Sequence, residues 1–276
     1  MKKIKVLMSF ILILSLGFSL MGCSQNESNT NDTIENKSEE EASVDNSWKR
    51  IEDNGKLVVG LCAAYPPFES RNEKTGEFEG FDIDLAKALG KELNVDVEIK
   101  DAEWQALLGG LNKGDFDVLI TCMSKKEAAV ENVNMSDVYY QLNNVVVVKK
   151  DEENIKNPED LKDKIVGVQL GSGSEQVADK MEGLKEIKRY NYNPEAFIDL
   201  ENDRIDGIIV GYAYAVNHLK QGDKFKIIDK PVASADIVMV MKNGENNLTA
   251  KLNESLSKIK ENGEYDKILE NWLTIK

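Results

Sequence analysis

Residues 57–61 read Leu57-Val58-Val59-Gly60-Leu61, and residues 80–86, after a loop, read Gly80-Phe81-Asp82-Ile83-Asp84-Leu85-Ala86. The first stretch is a continuous apolar run of strand length. The second opens a segment to Leu93 in which Leu85, Leu89 and Leu93 recur at helical spacing beside Ala86 and Ala88, so a buried strand leads into an amphipathic helix. The cycle then repeats. Val95 to Ile99 alternates as a second strand, Trp104, Leu107, Leu108 and Leu111 mark a helix face, and Asp117 to Thr121 is a third strand. Strands that alternate with helices in this way predict an α/β unit built on a parallel, doubly wound sheet.

A similar series follows: strand Ile165 to Gln169, helix Ser174 to Met181, strand Ile187 to Tyr190, helix Pro194 to Glu201, strand Gly207 to Val210 and helix Tyr212 to Leu219. Two cycles predict two α/β lobes. Between them lies Asn143 to Lys149, with Val145 to Val148 continuous, and after the second lies Ile237 to Met241. Both read as long β segments that cross between lobes. Residues 47–143 and 237–276 are therefore expected to form the first lobe and 144–236 the second, with two hinge strands between them. Ligands of open α/β sheets sit beyond the carboxyl ends of the strands, and two such sheets facing one another make a clamp.

The chain carries a formal charge of -14, and loss of Lys2, Lys3 and Lys5 with a leader would make it more acidic. Nucleic acid and anionic lipid headgroups demand a basic footprint and are poor partners for such a chain. Beyond Cys23 the cysteines are Cys62 and Cys122, which make neither a disulfide framework nor a metal cluster. The one histidine, His218, lies in an expected helix and reads as a surface or capping residue. No metal, no cofactor and no bond chemistry are expected.

Residues 1–22 join three lysines to the apolar run Val6 to Met21, a secretory signal too short for a comfortable membrane span. Leu20-Met21-Gly22-Cys23 resembles the lipobox of bacterial lipoproteins, which implies a diacylated Cys23 and a lipid-anchored, extracytoplasmic protein. Residues 23–46 are rich in Ser, Asn, Asp and Glu, with Ile34, Ala42 and Val44 as the apolar residues of the stretch after Cys23. Such a segment is expected to be a disordered acidic tether.

Tyr65-Pro66-Pro67-Phe68-Glu69, the Gly80 to Ala86 stretch, Trp104 through Leu111, Gly114-Asp115-Phe116-Asp117, Ser136-Asp137-Val138-Tyr139-Tyr140, Val166-Gly167-Val168-Gln169 and Gly263-Glu264-Tyr265-Asp266-Lys267 resemble, in order and spacing, the polar amino acid class of extracellular solute-binding proteins. The resemblance covers residues 48–276. It implies a type II periplasmic-binding-protein-like fold, a small-molecule ligand, a membrane ABC permease as partner, and a monomer.

Ligand contacts are expected from several loops. The prolines stiffen the loop after the first strand and present Tyr65 to the cleft. Gly171-Ser172-Gly173-Ser174 opens a helix whose free N–H groups suit an anion. Trp104 stands at the same mouth, and Cys62, Thr121, Cys122 and Ser124 end neighbouring strands. Each has a structural alternative: a rigid turn, an ordinary cap, core packing, or a small buried thiol. The resemblance also implies an arginine for a ligand carboxylate and an acid for its ammonium. Counting from Ser136-Asp137 and from Gly207-Ile208-Ile209-Val210, those positions hold Ala129 and Gly211. Lys125 and Lys126 are nearby substitutes, and solvated lysines are the plainer reading. The expected solute is polar and amino acid-like but not a standard free α-amino acid. A sensor subunit, or an exported lyase or dehydratase using Tyr65, Cys62, Cys122 or Lys126, is the alternative on the same fold.

Overall fold

The computed structural model describes residues 44–273; the signal segment, Cys23 and the tether up to residue 43 lie outside the described residues. The last residues of the expected tether belong to the fold. Asp45 accepts hydrogen bonds from Ser47 N at 2.9 Å and Asn247 N at 2.6 Å, which ties helix α1 (Ser47–Asn54) to the C-terminal part of the chain.

Strand β1 (Lys56–Leu61) leads into a small antiparallel sheet of β2 (Ala64–Tyr65), β3 (Glu69–Arg71) and β4 (Phe78–Glu79), which occupies the expected loop. Helix α2 (Phe81–Leu93), β5 (Asp96–Asp101), α3 (Leu107–Lys113), β6 (Val118–Leu119), the short α4 (Lys125–Ala128) and β7 (Val133–Met135) follow. Strand β8 (Tyr140–Lys149) then opens β9 (Ile165–Gln169), α5 (Gly173–Ala178), β10 (Glu186–Tyr190), α6 (Asn193–Glu201), β11 (Gly207–Gly211), α7 (Tyr212–Leu219), β12 (Phe225–Ile227) and β13 (Ala233–Ile237). The chain returns through β14 (Val240–Lys242) to α8 (Asn246–Glu261) and α9 (Glu264–Leu273).

One sheet has the order β5-β1-β6-β14-β7, with β1 parallel to both β5 and β6; the other has the order β10-β9-β11-β8-β12, with β13 also paired to β8. The chain thus builds one sheet, leaves it along β8, builds the second, and comes back along β13 to insert β14 antiparallel beside β6. This is the two-lobed α/β architecture that the two sequence cycles predict.

The continuous Val145–Val148 run has a direct explanation. Val145 and Val147 face a core with Phe197, Ile208 and Val210, whereas Val146 and Val148 face another with Leu161, Val166 and Ile209. A central strand covered on both faces is apolar at every position. The first sheet is covered similarly, by α2, α8 and α9 around Phe81, Leu85, Leu89 and Leu252 on one side and by α3 around Leu107 and Leu111 on the other. Truncating a fully buried leucine such as Leu85 or Leu89 costs about 2–5 kcal/mol.

The returning segment differs from expectation. Instead of one strand from Ile237 to Met241 there are two, because Val238 N donates to Met123 O at 3.0 Å and Met239 N donates to the Ser136 hydroxyl at 2.8 Å. These bonds pull the crossing point out of either ladder. His218 is neither a cap nor a free surface residue. It is half-buried in α7, its ring 3.7 Å from that of Phe197, and burial lowers its pKa.

Helix α2 is the element that most directly positions the site. Its first N–H groups need partners, and the Pro66-Pro67-Phe68 loop supplies them: Phe81 N donates to Pro67 O and Asp82 N to Phe68 O, each at 2.9 Å. Residue 80 must be glycine for this approach. Its φ is +135°, and a Cβ there would stand 2.2 Å from Phe68 O. The result fixes Asp82 under the carboxyl ends of β1 and β6.

Candidate functional site

The two sheets face each other across a narrow cavity of about 50 Å³. Its floor is made by the ends of β1 and β6. Cys62 N donates to Thr121 Oγ1 at 3.1 Å, and Thr121 Oγ1 donates to Glu69 Oε1 at 3.0 Å. Cys122 adopts φ 48°, a conformation that costs a non-glycine residue about 1–2 kcal/mol. It is held there because its N–H is shared between Asp82 Oδ2 at 2.6 Å and the Tyr139 hydroxyl at 3.1 Å.

Glu69 and Asp82 are both fully buried, and Glu69 Oε2 and Asp82 Oδ1 find no hydrogen-bond partner among the described residues. Burial and the neighbouring Asp82 push the Glu69 carboxyl well above the carboxylate range, and burial raises Asp82 to about 6. Two acids so placed cannot both ionise cheaply. Of the two, Glu69 is raised the further and holds its proton the more tightly.

The opposite wall comes from the second sheet. Gln169 ends β9 and is locked by Asn193, whose Nδ2 donates to Gln169 Oε1 at 3.0 Å, while Ser174 donates to Asn144 Oδ1 at 2.9 Å. The lobes also touch. Trp104 Nε1 donates to Gly171 O at 3.1 Å, Gln105 Nε2 to Leu170 O at 3.3 Å, Gly211 N to the Tyr65 hydroxyl at 3.2 Å, and Gly173 N to Glu127 Oε1. Tyr65 stacks on Tyr214 with ring centroids 4.8 Å apart. The clamp is closed.

Of the residues expected to meet a ligand, Cys62, Tyr65, Trp104, Thr121, Cys122 and Ser172 line the cavity. Gly171 and Ser124 do not. The backbone of Gly171 is engaged on both sides, its carbonyl by Trp104 and its N–H by Glu175. The Ser124 hydroxyl caps α4 by accepting from Glu127 N at 3.2 Å, and Glu127 Oε2 returns the bond by accepting from Ser124 N at 2.7 Å. This capping box turns Glu127 inward.

Two further expectations are corrected. Ala129 is the exposed C-cap of α4 and does not line the cavity; the residue of this helix that does is Glu127, buried at 8% exposure. The anion cradle at Gly171-Ser172-Gly173-Ser174 is already filled by the protein, because Glu175 takes Gly171 N, Ser172 Oγ takes Glu175 N and Glu127 takes Gly173 N. Lys125 pairs with Asp236 at 3.7 Å and Lys126 is exposed outside the cavity. Among the described residues no lysine, arginine or histidine lines it.

Sequence reading missed Glu69, Glu127, Asn144, Gln169 and Asn193 as lining residues. For Glu127 a signal existed in Ser124-x-x-Glu127, a capping box readable from spacing. Asn144 and Gln169 are polar residues at the ends of apolar strands, another legible sign.

Two facing α/β lobes, joined by crossing strands and closed on a cavity lined with hydroxyls, amides and aromatic rings, define a clamp for a small solute. The chain belongs to the bacterial extracellular solute-binding proteins, family 3, whose model matches residues 57–275. It is 33% identical over 226 residues to the arginine-binding extracellular protein ArtP of Bacillus subtilis (strain 168), covering 79% of this chain and 86% of that protein. It is 32% identical over 232 residues to a glutamine-binding protein of Geobacillus stearothermophilus, covering 83% and 88%. Among solved structures it resembles an ancestral arginine-binding protein bound to arginine, with a TM-score of 0.75 and 38% identity over 80% of this chain and 99% of that one. It also resembles the ancestral amino acid-binding protein AncCDT-1, a precursor of cyclohexadienyl dehydratase, with a TM-score of 0.76 and 34% identity over 83% and 100%. The chain is thus a solute-binding protein of the amino acid ABC transporter type, with the type II two-lobed fold and an extracytoplasmic place of work.

Proposed function

We propose that this chain captures a small polar solute, other than a standard free α-amino acid, by closing its lobes, and hands it to an ABC permease while tethered to the membrane through a lipidated Cys23. The observation that carries the solute reading is the lining itself: acidic side chains and neutral hydroxyls and amides, with no basic side chain among the described residues. A free α-amino acid brought into this cavity buries its carboxylate without a cation. An unpaired charge in a closed cleft costs on the order of 2–5 kcal/mol, which is roughly 30-fold to several thousand-fold in affinity.

Carriage rather than conversion fits the thiols and phenol of the cavity. Burial, aided by Asp101, pushes Cys62 up to about 11, and burial drives Cys122 and Tyr65 well above their ordinary values. None is a base at neutral pH. Native mass spectrometry of the mature protein, purified without refolding, tests the reading. A retained small molecule recovered unchanged after hours with the protein is the expected result. Conversion of that molecule to a product would overturn carriage in favour of an enzyme.

A further inference from the structure

Glu127 brings a carboxylate into the clamp. It projects from α4 on one lobe, accepts from Ser124 N on its own lobe, and accepts from Gly173 N on the other. Three features of the cavity bear on what that carboxylate does. Gly173 N–H, which faces the cavity and is suited to an incoming anion, is occupied by it. Glu127 also contributes to the raised pKa values of Tyr65 and Cys122, which line the same cavity on its own lobe. A second buried acid, Glu69, lines the same cavity, and its Oε2 has no hydrogen-bond partner among the described residues.

We infer that Glu127 supplies from within the protein the carboxylate that an amino acid would otherwise bring, so that the cleft selects a small organic amine carrying positive charge and no free carboxylate. This rests on the solute-capture reading above. The chemistry is one of subtraction and addition. An amino acid's carboxylate finds Gly173 N–H taken, no cation in the lining, and Glu127 as a like-charged neighbour. An ammonium or guanidinium finds the Glu127 carboxylate, the unpartnered Oε2 of Glu69, and the π face of Trp104, an aromatic group suited to cations. The remaining lining, including Leu142, Val210 and Ile237, suits a short apolar stem. Burial raises the Glu127 pKa above its ordinary value, opposed by the bonds from Ser124 and Gly173; both bonds fix the carboxyl group in place.

Calorimetry with matched pairs tests this: arginine against agmatine, lysine against cadaverine, ornithine against putrescine, histidine against histamine. Each pair differs by the carboxylate alone. The expected result is that at least one amine binds about thirtyfold or more tightly than its parent acid. Glu127→Gln should weaken that amine by roughly tenfold to a hundredfold, the loss of a charge-assisted bond. Gln preserves the capping box, so the ligand-free melting temperature of E127Q should stay near that of the wild type, which separates loss of the site from loss of the fold. A parent acid that binds as tightly as its amine overturns the inference, and means that Glu127 is a latch a ligand carboxylate displaces; solute capture would stand. Equal amine affinity in wild type and E127Q also overturns it. No binding in either series, with no contraction in small-angle scattering, counts against both readings.

Discussion

Gly211 N–H donates to the hydroxyl of Tyr65 across the lobes at 3.2 Å, and a Cβ on residue 211 would stand 2.3 Å from that same oxygen. The closed clamp therefore has no room for any side chain at 211. The absence of an acid there is a packing requirement of Tyr65, whose ring is already sandwiched between Phe68 and Tyr214. Gly211→Ala should hold the lobes apart and weaken binding of the copurifying solute about tenfold or more, since overpacking of this kind costs about 1–3 kcal/mol. Tyr65→Phe removes the nearest obstruction and leaves the flexible end of the Leu142 side chain, 2.9 Å from such a Cβ. In that background the same alanine should cost less than about threefold, a coupling that a double-mutant cycle reads directly. Additive effects would mean that Tyr65 and residue 211 do not meet in the state that binds.

The Glu69–Asp82 pair gives stability a specific pH dependence. Both folded-state pKa values are raised, Asp82 to about 6 by burial and Glu69 higher still by burial and by Asp82. The folded protein holds protons that the unfolded chain releases near pH 4. The pair's contribution is thus fully present below the unfolded values and is lost as pH rises through the folded ones, at up to about 1.4 kcal/mol per pH unit for each proton. Glu69→Gln keeps an acceptor for Thr121 and an N–H for Asp82 without the titrating proton. Urea denaturation from pH 5 to 8 should show E69Q gaining on the wild type as pH rises. A difference that stays constant across that range would rule out a raised Glu69 carboxyl.

The fold was legible because the apolar strands and helix faces recur at clean periods, and because Val145–Val148 is apolar at every position in a strand buried on both faces. The site was half legible. Tyr65, Trp104 and Ser172 stand beside turns and helix starts whose prolines or capping residues show in the sequence, and they reach the cavity. Ala129 misled because residue counting carries no information about which face of a short helix turns inward; the capping box of Ser124 and Glu127 decides that. Gly171 misled for a related reason. The N–H groups of its loop looked free, but Glu175 from the following helix takes that of Gly171 and Glu127 from α4 of the other lobe takes that of Gly173.

Cys62 and Cys122 report whether the resting protein is closed. Both are buried, at 4% and 6% exposure, and both line the cavity. At pH 8 a thiol with a pKa of about 11 is ionised to only about 0.1%, on the order of a hundredfold below an ordinary cysteine. Iodoacetamide should modify both at least about a hundredfold more slowly in the native protein than in guanidinium, as peptide mass spectrometry would record. Labelling of Cys62 at the rate of an unfolded cysteine would mean that the lobes stand open most of the time.

Closure should also be visible as thermodynamic linkage. Trp104 to Gly171, Gln105 to Leu170 and Gln176 to Lys126 are hydrogen bonds between lobes that exist only in the closed form, and a solute held between the lobes favours that form. A ligand that binds the folded protein alone adds about 2.7 kcal/mol at a hundred times its dissociation constant. For a chain of this size each kcal/mol moves the melting temperature by about 2–4 °C, so the shift should be roughly 5–11 °C. Trp104→Phe removes the indole N–H while keeping the aromatic wall. It should leave the ligand-free melting temperature nearly unchanged, because the bond is exposed and at the rim, but reduce the ligand-induced shift, because the closed state loses a tie that the open state never had. Small-angle scattering of the wild type with and without solute completes the test: contraction is expected, and a bound solute that leaves the radius of gyration unchanged would show that binding and closure are separate events.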